Sequence, residues 1–502
     1  MDCIEKYGLL ELRFSTNGED CVIPGARFTK GELSVEVPAF RDGEQYVVRF
    51  MPCDVGEWKY KTVDGSIAGT FTCVGNTGEN HGPVVTSEYS FRHADGSRYI
   101  PFGTTCYAWT HQTNELQEQT LKTLETSPFN KVRMCVFPKS MPYNNNEPEL
   151  FPFYRKEDGG WDVGRPDERF WRHLDRRLCD LMERGIQADL ILFHPYDRWG
   201  FSLLTQEESL LYLRYCIARL SAFRNVWWSL ANEYDLVMGK TDSDWDAYGE
   251  MIAEQDPYHH LTSIHNCFAL YPKRDWMTHC SVQNGNVQRV LMWQNEYDLP
   301  VVIDECGYEG NIEYGWGNLT AFEMVHRIWT AVIRGGFCTH GETFHREDEV
   351  LWWAKGGVLH GESAKRIAFL KELLYSLEDD LKPNTGFMNM DPNASGEPKP
   401  EHEVFISALM RIPADQMAVI LADLIPAEIC SENYRLQYLG RSRPVFTHIE
   451  LPVDSNYRIE AIDVWEMTRT VIAEHAHGHT RLDLPAKEGI AILCIKEEGL
   501  RV

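Results

Sequence analysis

The chain has 502 residues, with 49 Lys and Arg against 75 Asp and Glu, a formal net charge of −26. Its 43% hydrophobic and 25% charged residues are those of a globular protein with a core, which excludes disorder as its main state. The acidic excess disfavours a nucleic-acid backbone or an anionic membrane as partner, and no apolar run reaches the roughly 18 residues of a spanning helix.

Residues 1–85 read as short strands. ELSVEVPAF, QYVVRFMP, EWKYKTV and GTFTCV alternate apolar and polar side chains, with turns at Asp42-Gly43 and Asp64-Gly65. This predicts a small β-sandwich, followed by a linker at HGPVV. From about Tyr99 the pattern changes to apolar runs alternating with amphipathic helices. Eight strands are expected, in YIPFGTTCYAW, KVRMCVFP, IQADLILFHP, NVWWSLANE, LTSIHNC, HCSVQNG, PVVIDECG and GFCTHGE. Helical patterns lie between them, in RFWRHLDRRLCDLMERG, SDWDAYGEMIAEQDP and LTAFEMVHRIWTAVIRGG, and SAKRIAFLKELLYSLE closes the series. Eight such units over residues 86–383 predict a TIM (β/α)8 barrel. A doubly wound sheet is disfavoured, because no GxGxxG or GxxxxGK[ST] turn follows the first strand. Residues 384–502 return to strand spacing in EVFISALMRI, QMAVILAD, RIEAIDVWEM, TRTVIAEHA and GIAILCIKE, which predicts a C-terminal β-sandwich.

The N-terminus, MDCIEKYGLLELRF, has no basic segment leading into an apolar one, so no secretory signal is expected. The 14 cysteines, among them Cys3, Cys21, Cys53, Cys73, Cys106 and Cys135, form no CxxC pair. Buried free thiols in a reducing cytoplasm fit this better than disulfides or a zinc site.

In a barrel the residues at the C-terminal ends of the strands line the active site. Strand 4 ends in Asn232-Glu233 and strand 7 in Asp304-Glu305, while strand 2 carries Arg133. Strand 3 ends in His194-Pro195-Tyr196, strand 5 in His265-Asn266, and strand 8 in His340-Gly341-Glu342. Two carboxylates on strands 4 and 7 suggest glycoside hydrolysis, with one acid protonating the leaving oxygen and a second carboxylate across the anomeric carbon. Asn-Glu also occurs at Asn114-Glu115, Asn146-Glu147 and Asn295-Glu296, but none of these ends an apolar strand with a partner on another. Catalysis is therefore assigned to Glu233 and Glu305. Substrate contacts are expected from Asn232, Arg133, His194, His265, His340 and Glu342, and sugar platforms from Trp109 and Trp353. The spacing of His340, Glu342 and His345 is not HExxH and ends a strand, so the two histidines do not share a helical face. Sugar recognition is expected there, with no metal and no other cofactor.

The pattern resembles clan A of the glycoside hydrolases, the cellulase and mannanase-like retaining enzymes. Asn232-Glu233 matches its strand 4 motif, Glu305 its strand 7 nucleophile, FNKVRMCVFP its strand 2 with Arg133, and His194 and His265 its strand-end histidines. More narrowly, RFMPCDVGEWKYKT and YIPFGTTCYAWTHQ resemble clan A glycosidases in which an immunoglobulin-like domain precedes the barrel and a β-domain follows it. The resemblance implies that Glu233 is the acid/base, that Arg133 supports the nucleophile and that Asn232 holds the sugar 2-hydroxyl. Two features depart from the clan: GFCTHGETFH has no obvious strand 8 Trp and CSVQNG no strand 6 Tyr. The expectation is a retaining, exo-acting hydrolase of plant-glycan-derived oligosaccharides, with a carbohydrate as its partner and a homo-oligomer left open. A non-catalytic carbohydrate-binding protein, a metal-dependent hydrolase using the strand 8 cluster and a transglycosylase are the alternatives.

Overall fold

Alternation in the first 78 residues buries one face of each strand, and the strands pair accordingly in this computed structural model. It describes residues 3–14, 25–78, 80–385, 404, 407–408 and 411–497. One N-terminal sheet runs in the order Cys3–Glu5, Ala68–Val74, Gly56–Thr62, Gly25–Lys30, Leu33–Pro38. A second pairs Gln45–Phe50 with Leu10–Phe14 and Phe40–Asp42. Phe28, Phe50, Trp58 and Phe71 fill the core, with the Phe28 and Phe50 rings stacked at 3.9 Å. HGPVV, expected as a linker, instead opens an antiparallel sheet of Val84–Ser87, Ser90–His93 and Arg98–Tyr99. Phe91 of this sheet packs on Trp227 at 5.2 Å, so the segment is fixed by burial rather than free to link.

The chain divides into two compact units, residues 1–283 with 341–360, and 284–340 with 361–502. The first holds a parallel sheet in the order Gly103–Thr105, Lys131–Cys135, Gln187–Phe193, Val226–Ala231, Thr262–Ser263. Its central strands are buried at every position, as strands covered on both faces must be. Helices Asn114–Glu125, Glu168–Glu183, Gln206–Leu220 and Asp242–Gln255 alternate with them. Between Lys131–Cys135 and the helix Glu168–Glu183 the chain forms a hairpin, Phe153–Arg155 with Trp161–Pro166. A buried ion network ties the N-terminal sheets to two of these helices: Arg49 and Arg219 both grip Asp175 at 2.7 Å, and Arg219 reaches Asp42 at 3.2 Å.

In the second unit Val301–Glu305 and Phe337–Cys338 pair in parallel. Helices Val290–Tyr297, Ala321–Ile333 and Ser363–Ser376 accompany them. A six-stranded antiparallel sheet follows, in the order Lys382–Pro383, Ala427–Cys430, Tyr434–Tyr438, Ile490–Lys496, Tyr457–Asp463, Thr468–Ala476. Phe446–Glu450 pairs separately with His479–Asp483. One expected strand, QMAVILAD, is corrected: it lies in the helix Ala414–Leu424. Half of EVFISALMRI, and Cys21, lie outside the described residues, and the strand expected there is corrected as well, because Val404, Ser407 and Ala408 are helical. The fold is thus a TIM barrel of alternating parallel strands and helices, flanked by N- and C-terminal β-sheet domains. Among the described residues no helix is long and apolar enough to cross a membrane.

Candidate active site

Strand Val226–Ala231 is a continuous apolar run, and its end delivers Asn232 and Glu233. Glu233 is 6% exposed and takes a left-handed conformation, φ 50° and ψ 58°, before a short helical turn, Tyr234–Leu236. A non-glycine residue there costs on the order of 1–3 kcal/mol, which the surrounding contacts must offset. They are numerous. The Tyr196 hydroxyl and Asn232 Nδ2, at 3.2 Å, both donate to Glu233 Oε2. Asn232 Oδ1 in turn accepts from Arg133 at 2.9 Å and from the Tyr107 hydroxyl at 3.0 Å. The Glu233 amide donates to His265 Nδ1 at 3.4 Å, so His265 carries its proton on Nε2. Main-chain bonds from His265 to Ala231 and from Tyr234 to His265 lock the two strand ends together. Asp235 then clamps the next loop, accepting from the amides of Cys267, Phe268 and Ala269 at 2.6, 2.7 and 3.0 Å.

Two of the cations here share a carboxylate and a third lies over aromatic rings. Lys131 pairs with Asp189 at 2.8 Å, and Arg133 lies 3.7 Å from the same carboxylate. Lys139, 2% exposed, sits over the Tyr107 ring at 3.3 Å, the Tyr196 ring at 4.4 Å and the Trp353 ring at 5.8 Å. His194 donates from Nε2 to the Phe137 carbonyl at 3.2 Å, and its Nδ1 has no partner among the described residues. Burial, reinforced by the Lys139 charge, lowers its pKa to about 3, so the ring is neutral at ordinary pH. His194 Nδ1 is therefore a hydrogen-bond acceptor.

In the second unit Glu305 ends strand Val301–Glu305, half-buried, and its carbonyl accepts the Asn284 amide at 2.9 Å. The preceding Asp304 is buried and takes a 2.9 Å bond from the Thr339 hydroxyl. The Cys306 carbonyl accepts from Arg327, itself paired with Glu323 at 2.7 Å, and Gly307 turns the chain at φ 87°. This brace fixes the strand end from the back. His340 is fully buried, and burial lowers its pKa to about 3. Glu309 caps helix Ser363–Ser376, its two oxygens accepting from the amides of Glu362 and Ser363 at 2.9 and 3.1 Å. In the first unit Glu342 accepts the His360 amide at 2.7 Å, and the His345 ring meets Tyr143 at 5.7 Å.

Among the residues singled out from sequence, Glu233, Asn232, Arg133 and His265 thus form one hydrogen-bonded group. The platform expectation fails at Trp109. Its ring is wholly enclosed and its indole N–H meets Met134 Sδ at 3.4 Å, so it belongs to the packing. Trp353 is enclosed as well, edge-on to Tyr107 at 5.8 Å. Trp316, 40% exposed and stacked on Tyr314 at 5.6 Å, presents an open aromatic face. Sequence reasoning missed Tyr107 and Lys139, and reached Tyr196 only as the end of strand 3, without a role. Tyr107 lies inside the segment expected as strand 1, just past the observed strand Gly103–Thr105, and Lys139 follows directly on expected strand 2.

A buried carboxylate held at the end of a barrel strand beside an amide is an arrangement that a glycoside hydrolase of this fold can use. The comparisons with known proteins agree. The family profile described as "Apiosidase-like, catalytic domain" matches residues 86–378, more than half of the chain. Residues 3–64 and 424–494 match two domains of unknown function, DUF5060 and DUF5605. A crystal structure described as "a putative glycoside hydrolase from Bacteroides vulgatus" is 33% identical, with a TM-score of 0.85 over 99% of this chain and 100% of that one. A family 5 glycoside hydrolase of the same organism is 14% identical, with a TM-score of 0.60 over 83% of this chain and 94% of that one, and shares the fold. No curated protein matches. The chain belongs to the apiosidase-like family.

Proposed function

We propose that the protein is a retaining glycosidase in which Glu305 is the nucleophile and Glu233 the acid/base. The observation that carries the reading is the occupancy of Glu233 Oε2 by two donors, Tyr196 and Asn232, which leaves Oε1 as the oxygen that holds and releases the proton. In the first step a Glu305 oxygen bonds to the anomeric carbon, the glycosidic C–O bond breaks, and the leaving oxygen takes the proton from Glu233 Oε1. In the second, Glu233 takes a proton from water as the water oxygen attacks the anomeric carbon and frees Glu305. Arg133 fixes Asn232 for a sugar hydroxyl next to the reacting carbon, and His194 Nδ1 accepts from another. The family description points to apiose, a branched pentose, and we place it at the end of short, plant-derived oligosaccharides cut in exo fashion. Thirteen free thiols among the described residues support a reducing compartment, and we assign the protein to the cytoplasm.

The test is a panel of 4-nitrophenyl glycosides, apiosides included, followed by trapping with a 2-deoxy-2-fluoro apioside and peptide mass analysis. A label on Glu305 and a product of retained configuration are expected. A label on another residue, or inversion, overturns the mechanism; turnover confined to other sugars overturns the substrate.

A further inference from the structure

We propose that Lys139 is a positioning residue for Glu233, acting through the rings of Tyr107 and Tyr196. This rests on the reading of Glu233 as acid/base. The ammonium lies 3.3 Å from the centre of one ring and 4.4 Å from the other, and it is almost wholly withdrawn from water. The two phenols it touches are the two that hold the Asn-Glu pair: Tyr107 donates to Asn232 Oδ1, and Tyr196 donates to Glu233 Oε2. One buried cation therefore fixes both halves of the pair.

The physical reason lies in what an ammonium does to an aromatic ring. A cation over the π face of a desolvated ring binds it by up to about 2 kcal/mol or more, far above the exposed value. It also draws electron density from the phenol and strengthens its O–H as a donor. Tyr196 is thereby both held in place and made a better partner for Oε2. The charged and titratable groups around the pair include Arg133 and Lys139 from strand 2 and its extension with Asp189 on strand 3, His194 and Tyr196 after strand 3, Tyr107 after strand 1, Asp235 after strand 4 and His265 after strand 5. Lys139 touches both phenols.

The test compares wild type, Lys139→Met, Lys139→Arg, Tyr196→Phe and Glu233→Gln on 4-methoxyphenyl, 4-nitrophenyl and 2,4-dinitrophenyl apiosides. Departure of 2,4-dinitrophenolate needs no proton, so a defect in acid positioning spares it. Lys139→Met is expected to lose at least tenfold in kcat/KM on the methoxyphenyl substrate and less than twofold on the dinitrophenyl one, and Lys139→Arg to recover most of the loss. Equal losses on all three substrates mean a merely structural lysine and overturn the proposal, as does no loss on any. If Lys139→Met does not fold, Lys139→Arg and Tyr196→Phe decide: a Tyr196→Phe loss graded by leaving group supports the proposal, and an ungraded one overturns it. Glu233→Gln tests the underlying reading separately. If that variant keeps its activity on the methoxyphenyl substrate, Glu233 is not the acid, whatever the lysine variants do.

Discussion

Two buried polar networks of the first unit solve the same problem in opposite ways. Around Asp175, guanidiniums meet carboxylates directly: Arg49 binds both oxygens at 3.0 and 2.7 Å, and Arg219 adds contacts at 2.7 and 3.1 Å. Around Glu233, the carboxylate meets a phenol and an amide, while Lys139 lies over two rings and Arg133 binds Asn232. The first arrangement sets carboxylates directly against cations and suits a joint between domains. The second surrounds the carboxylate with a phenol and an amide, the setting that supports the acid/base role proposed for Glu233.

Substitutions should break the two networks differently. Glu233→Gln keeps the shape of the side chain and removes the exchangeable proton. Its kcat/KM on substrates with poor leaving groups should fall by roughly 10²–10⁴-fold, the usual worth of a general acid, with an unchanged melting temperature. Asp175→Asn should do the reverse. It leaves two buried guanidiniums without their shared charge, and the expected loss is about 3–5 kcal/mol of stability by urea denaturation. Turnover per folded molecule should hold. A loss of activity in Asp175→Asn at full folding would show that the networks are coupled.

Much of this was legible in the chain. The barrel strands could be read because strands covered on both faces leave continuous apolar runs, and Glu233 and Glu305 because each ends such a run. QMAVILAD was misread because a short apolar run carries no period that separates strand from helix; its Ala, Leu and Met favour the helix it adopts. Lys139 was illegible for a different reason. Its role depends on the rings of Tyr107 and Tyr196, from two other strand ends, and no local pattern encodes that convergence. The Asp42–Arg219 contact, spanning 177 residues of chain, was hidden in the same way.

Two smaller effects sharpen the contrast. His194→Ala should raise KM by roughly 3–10-fold, the worth of one hydrogen bond of about 0.5–1.5 kcal/mol, if Nδ1 accepts from the sugar. The pH dependence of that KM should not change between pH 5 and 8, because the wild-type ring, at a pKa of about 3, is already neutral there. An acid limb lost on substitution would refute the assignment.

Acid should weaken the structural network through Asp42. Burial raises its pKa, but Arg219, Arg13 and Arg172 outweigh burial and hold the carboxyl below the usual range. A folded pKa below the unfolded value, about 3.9, means a contribution fully present above that pH and lost as pH falls through the folded value. Stability should therefore drop below about pH 4, and Asp42→Asn should flatten the drop. The partners of Asp42 should not count equally. Arg219 is buried, whereas Arg13 is 40% exposed and also bound to Glu11, so solvent screens its 2.9 Å contact. Arg13→Ala should cost less than about 1 kcal/mol, and added salt should shrink that cost further. If Arg13→Ala proved as damaging as Asp175→Asn, the network would owe its strength to the number of its charges rather than to the burial of a few.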